Sequence, residues 1–542
     1  MSDNGFTATT KLLRLIIRLD RIKLTLWLVG LLTLIGITPF SLRAVLDAEA
    51  EAEGVTTQDV LIEQAALFET SGASIALQGP PDALDTFGGR YAFEIGAVTL
   101  AIVALMNILL IVRHTRAEEE SGRAELVRAA AVGPWSALTA VSVIALATNL
   151  VLGSGTSIVF IADGRSVGPS ILYGLSVAFA GLLFAAITLI WVQVFEYARA
   201  ATAMSMAGLA LAFALRAVGD VKGNWISFVS PLGWVQAVNP FGETVLWPFF
   251  VSLAAVSAAV AAAIFLAVRR DVGAGLIGQR PGPATADRSL SSPLGIAWRL
   301  QRSTLFWWTV GAGFLGAIYG SVISAIDDFV EENEAMLEML EAMGMSGDAL
   351  RDGFVSYVLS MIAMIATAGI IQSVLKPRGE ELAGRAEPVL ARSISRRVWI
   401  SSHLALTAMS APVFMVVAGV ALSITDALVV GHFTDFGGTI AAALVRVPAL
   451  WAMAGIGVLL YGWVRQLTLG VWGFFCVSSI VFVFGELIRL PDLALNVAVV
   501  RHVTHMPGGD QSLLSVAVLT VIAVVTTVAG VGLFDRRDIS AT

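Results

Sequence analysis

Long apolar runs recur along the whole chain, and short polar segments separate them. Twelve runs approach or exceed the roughly 20 residues that a helix needs to cross the hydrocarbon core of a bilayer. In the first half they lie near 24–44, 94–112, 136–161, 169–193, 201–217 and 246–268, and in the second half near 305–326, 354–375, 398–424, 447–464, 467–488 and 512–534. The pattern predicts an all-α polytopic membrane protein with about twelve transmembrane helices. The run at 447–464 is the least regular, because Arg446 and Pro448 crowd its start.

The charges between the apolar runs predict the orientation. Basic residues concentrate before the first run (Lys11, Arg14, Arg18, Arg21, Lys23), after the second (Arg113, Arg116, Arg123, Arg128) and between the halves (Arg269, Arg270, Arg280, Arg288, Arg299, Arg302). Residues 45–93 and 327–353 instead carry nine acidic residues each and a single arginine. Because cytoplasmic loops are enriched in Lys and Arg, we expect both termini in the cytoplasm of a bacterial cell and both acidic loops outside.

Residues 331–343 predict a helix, and we expect the acidic loops to form an ordered outer cap.

The two halves share short motifs in the same order. Arg18-Leu-Asp-Arg21 matches Arg299-Leu-Gln-Arg302, Gly122-Arg-Ala-Glu125 matches Gly384-Arg-Ala-Glu387, Arg199 and Thr202 match Arg465 and Thr468, and Arg269-Arg-Asp271 matches Arg536-Arg-Asp538. Such a series at equivalent points indicates an internal duplication. Because both halves have six runs and begin on the same side, the repeats are parallel. The predicted domains are a first six-span half (1–270), a cytoplasmic linker (271–298) and a second six-span half (299–542).

Composition agrees with a lipid environment and excludes several functions. Of the 542 residues, 57% are hydrophobic and only 14% are charged, whereas soluble domains carry about 25% charged residues. The net charge of −7 argues against nucleic-acid binding. The single cysteine, Cys476, excludes an intrachain disulfide, and His502 with His505 makes a poor metal site. No Gly-x-x-x-x-Gly-Lys-Ser/Thr motif occurs, so we do not expect this chain to hydrolyse ATP.

The segment after the second apolar run of each half carries the most specific pattern. We call residues 113–130 loop A and residues 376–397 loop B. The matching positions are Arg116, Glu118, Glu119, Gly122, Arg123 and Glu125 in loop A, and Arg378, Glu380, Glu381, Gly384, Arg385 and Glu387 in loop B. Arg123 follows Glu119, and Arg385 follows Glu381, by four residues, a helical spacing that allows ion pairs. Pro388 favours a new helix after a break near Gly384.

A solvated, positively charged loop is the simplest interpretation of loops A and B. Such a loop requires only basic residues, however, and these two also repeat acidic residues, a glycine and their spacing. Charged residues surround a few apolar ones, Leu126 and Val127 in loop A and Val389 and Leu390 in loop B. This mixture is typical of a protein interface. We therefore expect each loop to dock a protein partner.

The pattern Arg-x-Glu-Glu-x-x-Gly-Arg-x-Glu resembles that of ABC-2-type exporter permeases, especially the fused twelve-span subunits of actinobacterial polyketide-antibiotic (tetronasin-type) and multidrug exporters. The resemblance implies that loops A and B are coupling helices, which dock two copies of a separate ATPase chain carrying ATP and Mg. It implies possible second ATPase contacts at Arg199 and Arg465, which otherwise are ordinary anchoring residues. It also implies an interfacial helix at residues 11–23, although this segment could equally extend the first span.

The sequence thus predicts an export permease for amphipathic or lipophilic compounds such as antibiotics, drugs or lipids, with no catalytic, cofactor-binding or metal-binding residues of its own. The main alternative is a secondary carrier of the major-facilitator type. Such carriers usually need ionisable residues within their spans, whereas Arg216, Glu486 and Arg489 lie near span ends and the long side chain of Arg446 can snorkel to the interface. A membrane-embedded transferase is a weaker alternative, because no catalytic pair of carboxylates has a convincing spacing.

Overall fold

The structure, a computed structural model, is helical throughout the part of the chain that it describes, apart from one isolated bridge between Phe195 and Ile277. It describes residues 5–130, 132–271, 273–277, 285, 287–321, 323, 347–391, 394–485, 490–503, 506 and 513–537. These residues form two compact units, Met1–Gly282 and Pro283–Thr542. The helix predicted at 331–343, and Glu486, Arg489 and His505, lie outside the described residues.

The first unit begins with one very long helix and continues with shorter ones. Its α-helices are α1 (Thr9–Glu53), α2 (Thr57–Thr70), α3 (Gly72–Gln78), α4 (Phe87–His114), α5 (Arg116–Glu120), α6 (Arg123–Arg128), α7 (Ser136–Ala162), α8 (Val167–Val194), α9 (Ala198–Lys222), α10 (Pro231–Gln236) and α11 (Trp247–Val268). A 3-10 helix, Trp225–Val229, precedes α10.

The second unit follows the same order without an equivalent of α2 and α3 in its described residues. Its α-helices are α12 (Pro293–Gly320), α13 (Gly347–Val374), α14 (Lys376–Leu382), α15 (Glu387–Leu390), α16 (Arg396–Val430), α17 (Phe436–Val445), α18 (Val447–Trp463), α19 (Gly470–Phe484), α20 (Asp492–Leu495) and α21 (Leu513–Arg536). The 3-10 helices in this unit are Arg288–Ser291, Arg465–Leu469 and Val499–His502.

Ten helical stretches in the described residues are long and apolar enough to cross a membrane, whereas the sequence pattern predicts about twelve spans. They are Thr9–Glu53, Phe87–Glu120, Ser136–Ala162, Val167–Val194, Ala198–Lys222, Trp247–Val268, Arg351–Leu382, Arg396–Val430, Phe436–Trp463 and Leu513–Arg536. Helix α12 occupies the predicted seventh span, but its tryptophans, glycines and arginines lower its hydropathy. Helix α19 occupies the eleventh with 15 residues, about 22 Å at 1.5 Å per residue, which is less than the roughly 30 Å core.

Helix α1 is continuous over 45 residues from Thr9 to Glu53. Residues 11–23 are therefore the first turns of the same helix that carries the first span, as the alternative interpretation of this segment predicted. At 1.5 Å per residue α1 is about 68 Å long, roughly twice the thickness of the hydrocarbon core. At least one of its ends must extend beyond the core.

Equivalent helices pack against one another in the two units. In the first unit α1 packs on α7, and α4, α7 and α11 all pack on α8. In the second unit α12 packs on α16, and α13, α16 and α21 all pack on α18. The sequence places α12, α13, α16, α18 and α21 at the same positions in the second half as α1, α4, α7, α8 and α11 in the first. Each unit is thus built around its fourth span.

A polar contact is buried within the apolar core of the first unit. Asn107 in α4 and Asn149 in α7 exchange side-chain hydrogen bonds of 3.0 and 2.7 Å, and both are fully buried. Gly181 in α8 makes room for them, because a Cβ there would lie 1.8 Å from Oδ1 of Asn149. A glycine at a helix contact with interhelical hydrogen bonds is typical of packing within membranes.

The acidic loop 45–93 of the first unit is folded, in agreement with the predicted outer cap. Thr56 begins α2 with a capping box, in which its hydroxyl accepts from the Asp59 N–H and the Asp59 carboxylate accepts from the Thr56 N–H. The Thr56 hydroxyl and the Thr56 N–H both donate to the Asp59 carboxylate, and these two bonds lower the pKa of Asp59. The buried guanidinium of Arg90 lies over the Phe68 ring, 3.8 Å from its centroid, and bonds Glu94 at 2.8 Å.

Two arginines in the spans are fully buried. Arg216 in α9 donates to the carbonyl oxygens of Ile75, Ala76 and Leu77 at the carboxyl end of α3, where a cation is favoured. Arg446 is 1% exposed and donates to the carbonyl oxygens of Ser356, Ala442 and Met506. Arg446 thus does not use the snorkelling that its side chain allows, because backbone oxygens within the unit accept from its guanidinium.

Candidate functional site

Loop A folds into two short helices separated by a sharp turn. Helix α4 ends at His114, α5 spans Arg116–Glu120 and α6 spans Arg123–Arg128. Gly122 precedes α6 with φ +75°, in the left-handed region. A residue with a Cβ pays roughly 1–2 kcal/mol there, so the glycine of the repeated pattern permits this turn.

Loop B repeats this architecture. Helix α14 spans Lys376–Leu382, Gly384 has φ +69°, and α15 begins at Glu387 with Pro388 in its first turn. The predicted break near Gly384 and the predicted role of Pro388 are both confirmed. Residues 392 and 393, near the end of loop B, lie outside the described residues.

The first glutamate of each Glu-Glu pair binds the arginine that follows the turn. Nε of Arg123 lies 2.9 Å from Oε2 of Glu118, and Nε of Arg385 lies 2.8 Å from Oε2 of Glu380. The pairing of these arginines with Glu119 and Glu381, suggested by helical spacing, is wrong. The helices end before the glycines, so the turn brings each arginine back to the earlier glutamate. The bond to Glu380 raises the pKa of Arg385.

The second glutamate of loop A belongs to a buried network. Nη1 of Arg116 lies 2.7 Å from Oε2 of Glu119, and Arg270 binds both oxygens of the same carboxylate at 2.7 and 2.9 Å. Arg116 also donates to the carbonyl oxygens of Val192 and Ala274, and Arg270 donates to Oε1 of Gln193. Loop A is thereby fastened to the end of α8 and to the segment after α11.

The second glutamate of loop B is held in the same way. Nη2 of Arg537 lies 2.8 and 2.7 Å from the two carboxylate oxygens of Glu381, and the Tyr461 hydroxyl donates to Oε2 at 2.6 Å. Arg537 also donates to the Tyr461 carbonyl oxygen and lies over the rings of Tyr461 and Phe534. Loop B is thus fastened to the end of α18 and to the residue after α21.

Each loop also presents a solvent-exposed surface. The exposed residues with charged or large apolar side chains include Glu120, Arg123, Glu125 and Leu126 in loop A, and Leu382, Arg385, Glu387 and Arg397 in loop B. Glu118 and Arg378 are partly buried, whereas Arg116 and Glu380 are buried. The exposed set combines both charges with one large apolar residue per loop, as a docking surface requires.

The two arginines predicted as second contacts are placed differently. The Glu120 carboxylate accepts from the backbone N–H of Ala198 at 3.1 Å, at the start of α9. This contact brings the exposed Arg199 next to loop A. Arg465 begins the 3-10 helix Arg465–Leu469, without a described side-chain position.

Sequence reasoning missed several buried partners near the loops. Asp20 lies 2.5 Å from Nε2 of His114, and Gln301 lies 3.0 Å from Nδ1 of His403. Asp20 and Gln301 occupy the third position of Arg18-Leu-Asp-Arg21 and Arg299-Leu-Gln-Arg302, so the repeat carried a signal for them. The repeat also carried a signal for Arg270 and Arg537, because both belong to the repeated Arg-Arg-Asp motif, whereas no motif in the sequence pointed to Tyr461.

A cavity of about 470 Å³ adjoins loop A within the first unit. Its wall is mainly apolar and includes Leu15, Leu19, Val127 and Trp135. Glu118, Glu119, His114 and Arg270 also line it. The cavity suits a molecule with a large apolar part and a smaller polar one.

Comparisons with known proteins agree with this architecture. A family model described as the C-terminal domain of the multidrug efflux system permease Rv1217c matches residues 290–535. The multidrug efflux system permease protein Rv1217c of Mycobacterium tuberculosis (strain ATCC 25618 / H37Rv) is 34% identical to this chain over 547 residues, which cover 99% of this chain and 96% of the relative. A match of this extent shows a multi-pass membrane protein, and the chain belongs to the Rv1217c family of efflux system permeases.

Proposed function

We propose that this chain is the membrane subunit of an ABC-2-type multidrug exporter, driven by a separate ATPase that docks on loops A and B. The relative's name describes a multidrug efflux permease. This chain has no phosphate-binding motif of the P-loop type. The energy for export therefore comes from a partner that binds ATP and Mg.

The observation that carries this proposal is the same loop architecture in both units. Each loop has two short helices, a glycine at positive φ, an exposed arginine paired with the first glutamate, and a largely buried pair between the second glutamate and a distant arginine. A loop needed only for topology does not require this construction twice. Two equivalent docking surfaces fit two copies of one ATPase, and Arg199 beside loop A enlarges the first of them.

The proposed topology has twelve spans in two parallel repeats. Helices α12 and α19 supply the seventh and eleventh spans, because they occupy the same place in the second unit as α1 and α9 in the first. Loops A and B then lie on the cytoplasmic side with both termini, as the distribution of Lys and Arg indicates. This side is also where an ATPase that uses cellular ATP must bind.

The cargo of the proposed exporter is amphipathic or lipophilic. The cavity beside loop A is mainly apolar, and a second cavity of about 680 Å³ in the second unit is lined by Trp298, Phe306, Met409 and Phe414. Large apolar walls with few polar groups accept varied hydrophobic molecules. They do not select a single polar substrate.

The docking role is tested by reversing one exposed charge in each loop. Arg123→Glu combined with Arg385→Glu places a negative charge in each docking surface, and we expect at least a tenfold loss of ATPase affinity and of drug export. Binding to the purified permease in nanodiscs measures the affinity. Arg43→Glu combined with Arg501→Glu makes the same change in charge at the predicted outer side and should leave binding unaltered. Unchanged binding and export in the loop variant contradicts the proposal.

A further inference from the structure

The second glutamate of each Glu-Glu pair is bound by an arginine from the far end of its unit. Glu119 and Arg270 are separated by 151 residues, and Glu381 and Arg537 by 156. Both arginines are the second residue of a repeated Arg-Arg-Asp motif, which follows the last helix of each half. The same long-range contact is therefore made independently in both units.

Both contacts have the geometry of strong ion pairs. Each arginine reaches both oxygens of its glutamate at 2.7–2.9 Å. The side chains are 9% and 10% exposed for Arg270 and Glu119, and 15% and 3% for Arg537 and Glu381. Arg270 uses two nitrogens, one for each oxygen of Glu119, whereas Nη2 of Arg537 alone reaches both oxygens of Glu381. Charge-assisted bonds shielded from water are strong, so each pair holds its two segments close together.

The two glutamates of each Glu-Glu pair thus have different structural roles. Glu118 and Glu380 bind arginines of their own loop and maintain its shape. Glu119 and Glu381 bind arginines that lie one or two residues beyond the last helix, α11 or α21. Within each Glu-Glu pair, the second glutamate is thus the one that binds the segment following the last helix of the unit.

We propose that the Glu119–Arg270 and Glu381–Arg537 pairs are latches that transmit the movement of loops A and B to the last helix of each unit. When a docked ATPase displaces a loop, the latch moves α11 or α21 with it. These helices pack on α8 and α18, the central helices of the two units. The latch therefore offers a route from the docking surface to the core of the bundle. This inference rests on the proposed function.

The latches are tested in proteoliposomes that contain the full chain and its ATPase. Arg270→Gln with Arg537→Gln removes both ion pairs while leaving the exposed residues of the docking surface unchanged. We expect ATPase affinity and ATP hydrolysis within about twofold of the unaltered protein, and at least a tenfold fall in drug transported per ATP hydrolysed. Arg270→Lys with Arg537→Lys keeps both charges but loses the two-nitrogen bond of Arg270 to Glu119 and the planar guanidinium of Arg537, and should recover part of the coupling.

The neighbouring arginines provide a matched control. Arg269 and Arg536 are exposed, so Arg269→Gln with Arg536→Gln changes the charge equally and should leave coupling intact. Normal transport per ATP in the Arg270→Gln, Arg537→Gln protein contradicts the latches. If that variant does not fold, the lysine variant decides, with at least a threefold loss of coupling expected and unchanged coupling contradicting the inference. Failure of the unaltered chain to bind an ATPase contradicts the proposed function instead.

Discussion

At the scale of single residues, burial decides how much each of two adjacent, identical side chains contributes to stability. Glu118 forms an ion pair with Arg123, whose side chain is 65% exposed, and exposed pairs contribute only about 0–1 kcal/mol. The side chains of Glu119 and Arg270 are only 10% and 9% exposed, and removing one partner of a pair so largely shielded from water approaches the cost of about 3–5 kcal/mol for a buried pair, because a charge remains unpaired. In loop A the first glutamate thus makes a weak contact and the second a strong one.

The glycines of the loops yield a residue-scale prediction. Gly384 has φ +69° and open space around it, so Gly384→Ala adds backbone strain of roughly 1–2 kcal/mol without a clash. Strain that opposes the docked conformation weakens ATPase binding by up to about tenfold, which titration of the permease in nanodiscs measures.

Gly379 is the matched control for this substitution. It lies within α14, also in open space, but without a positive φ. Gly379→Ala should preserve or slightly improve binding, because alanine favours a helix. Equal affinities for the two variants would show that the turn does not matter for docking.

Much of the site was predictable from single residues, and the errors in that prediction have physical causes. The repeated pattern identified the loops, the glycine turns and Pro388. It misplaced the ion pairs of Arg123 and Arg385, because spacing rules assume a continuous helix and the chain turns at Gly122 and Gly384. Partners distant in sequence, such as Tyr461 for Glu381, required the fold.

At the scale of elements, hydropathy located the helices better than it located their ends. It identified the apolar part of α1 but could not show that the polar residues 11–23 continue the same helix. It also counted α19 as a full span, although its helix is only 15 residues long. Apolar composition measures affinity for lipid, whereas the end of a helix depends on local capping and packing.

The packing of α4, α7 and α8 gives an element-scale prediction. Gly181→Ala forces a Cβ onto the Asn107–Asn149 pair, and overpacking of this kind costs about 1–3 kcal/mol. We expect a lower melting temperature in a fluorescence-based thermal assay of the detergent-solubilised protein.

Gly208 in α9 serves as the comparison, because a Cβ there meets nothing within 4 Å. Gly208→Ala should leave the melting temperature unchanged or raise it slightly. If Gly181→Ala is as stable as Gly208→Ala, then α8 does not approach the asparagine pair as closely as described.

At the scale of the whole molecule, each half repeats both a bundle and a loop fastened to it. The motif series in the sequence predicted the repeat, and equivalent helices pack in the same way in each unit. The long-range fastening of the loops was not predictable from the series alone, because Arg270 and Arg537 could only be paired with Glu119 and Glu381 once the fold was known.

The central claim is that each loop docks one copy of a separate ATPase. Native mass spectrometry of the full chain, purified from its own host in mild detergent, tests it most directly. The account predicts a complex of one permease chain with two ATPase chains. The double variant Arg123→Glu, Arg385→Glu should not form this complex. A permease that carries no ATPase, and that exports drugs with a proton gradient alone, would contradict it.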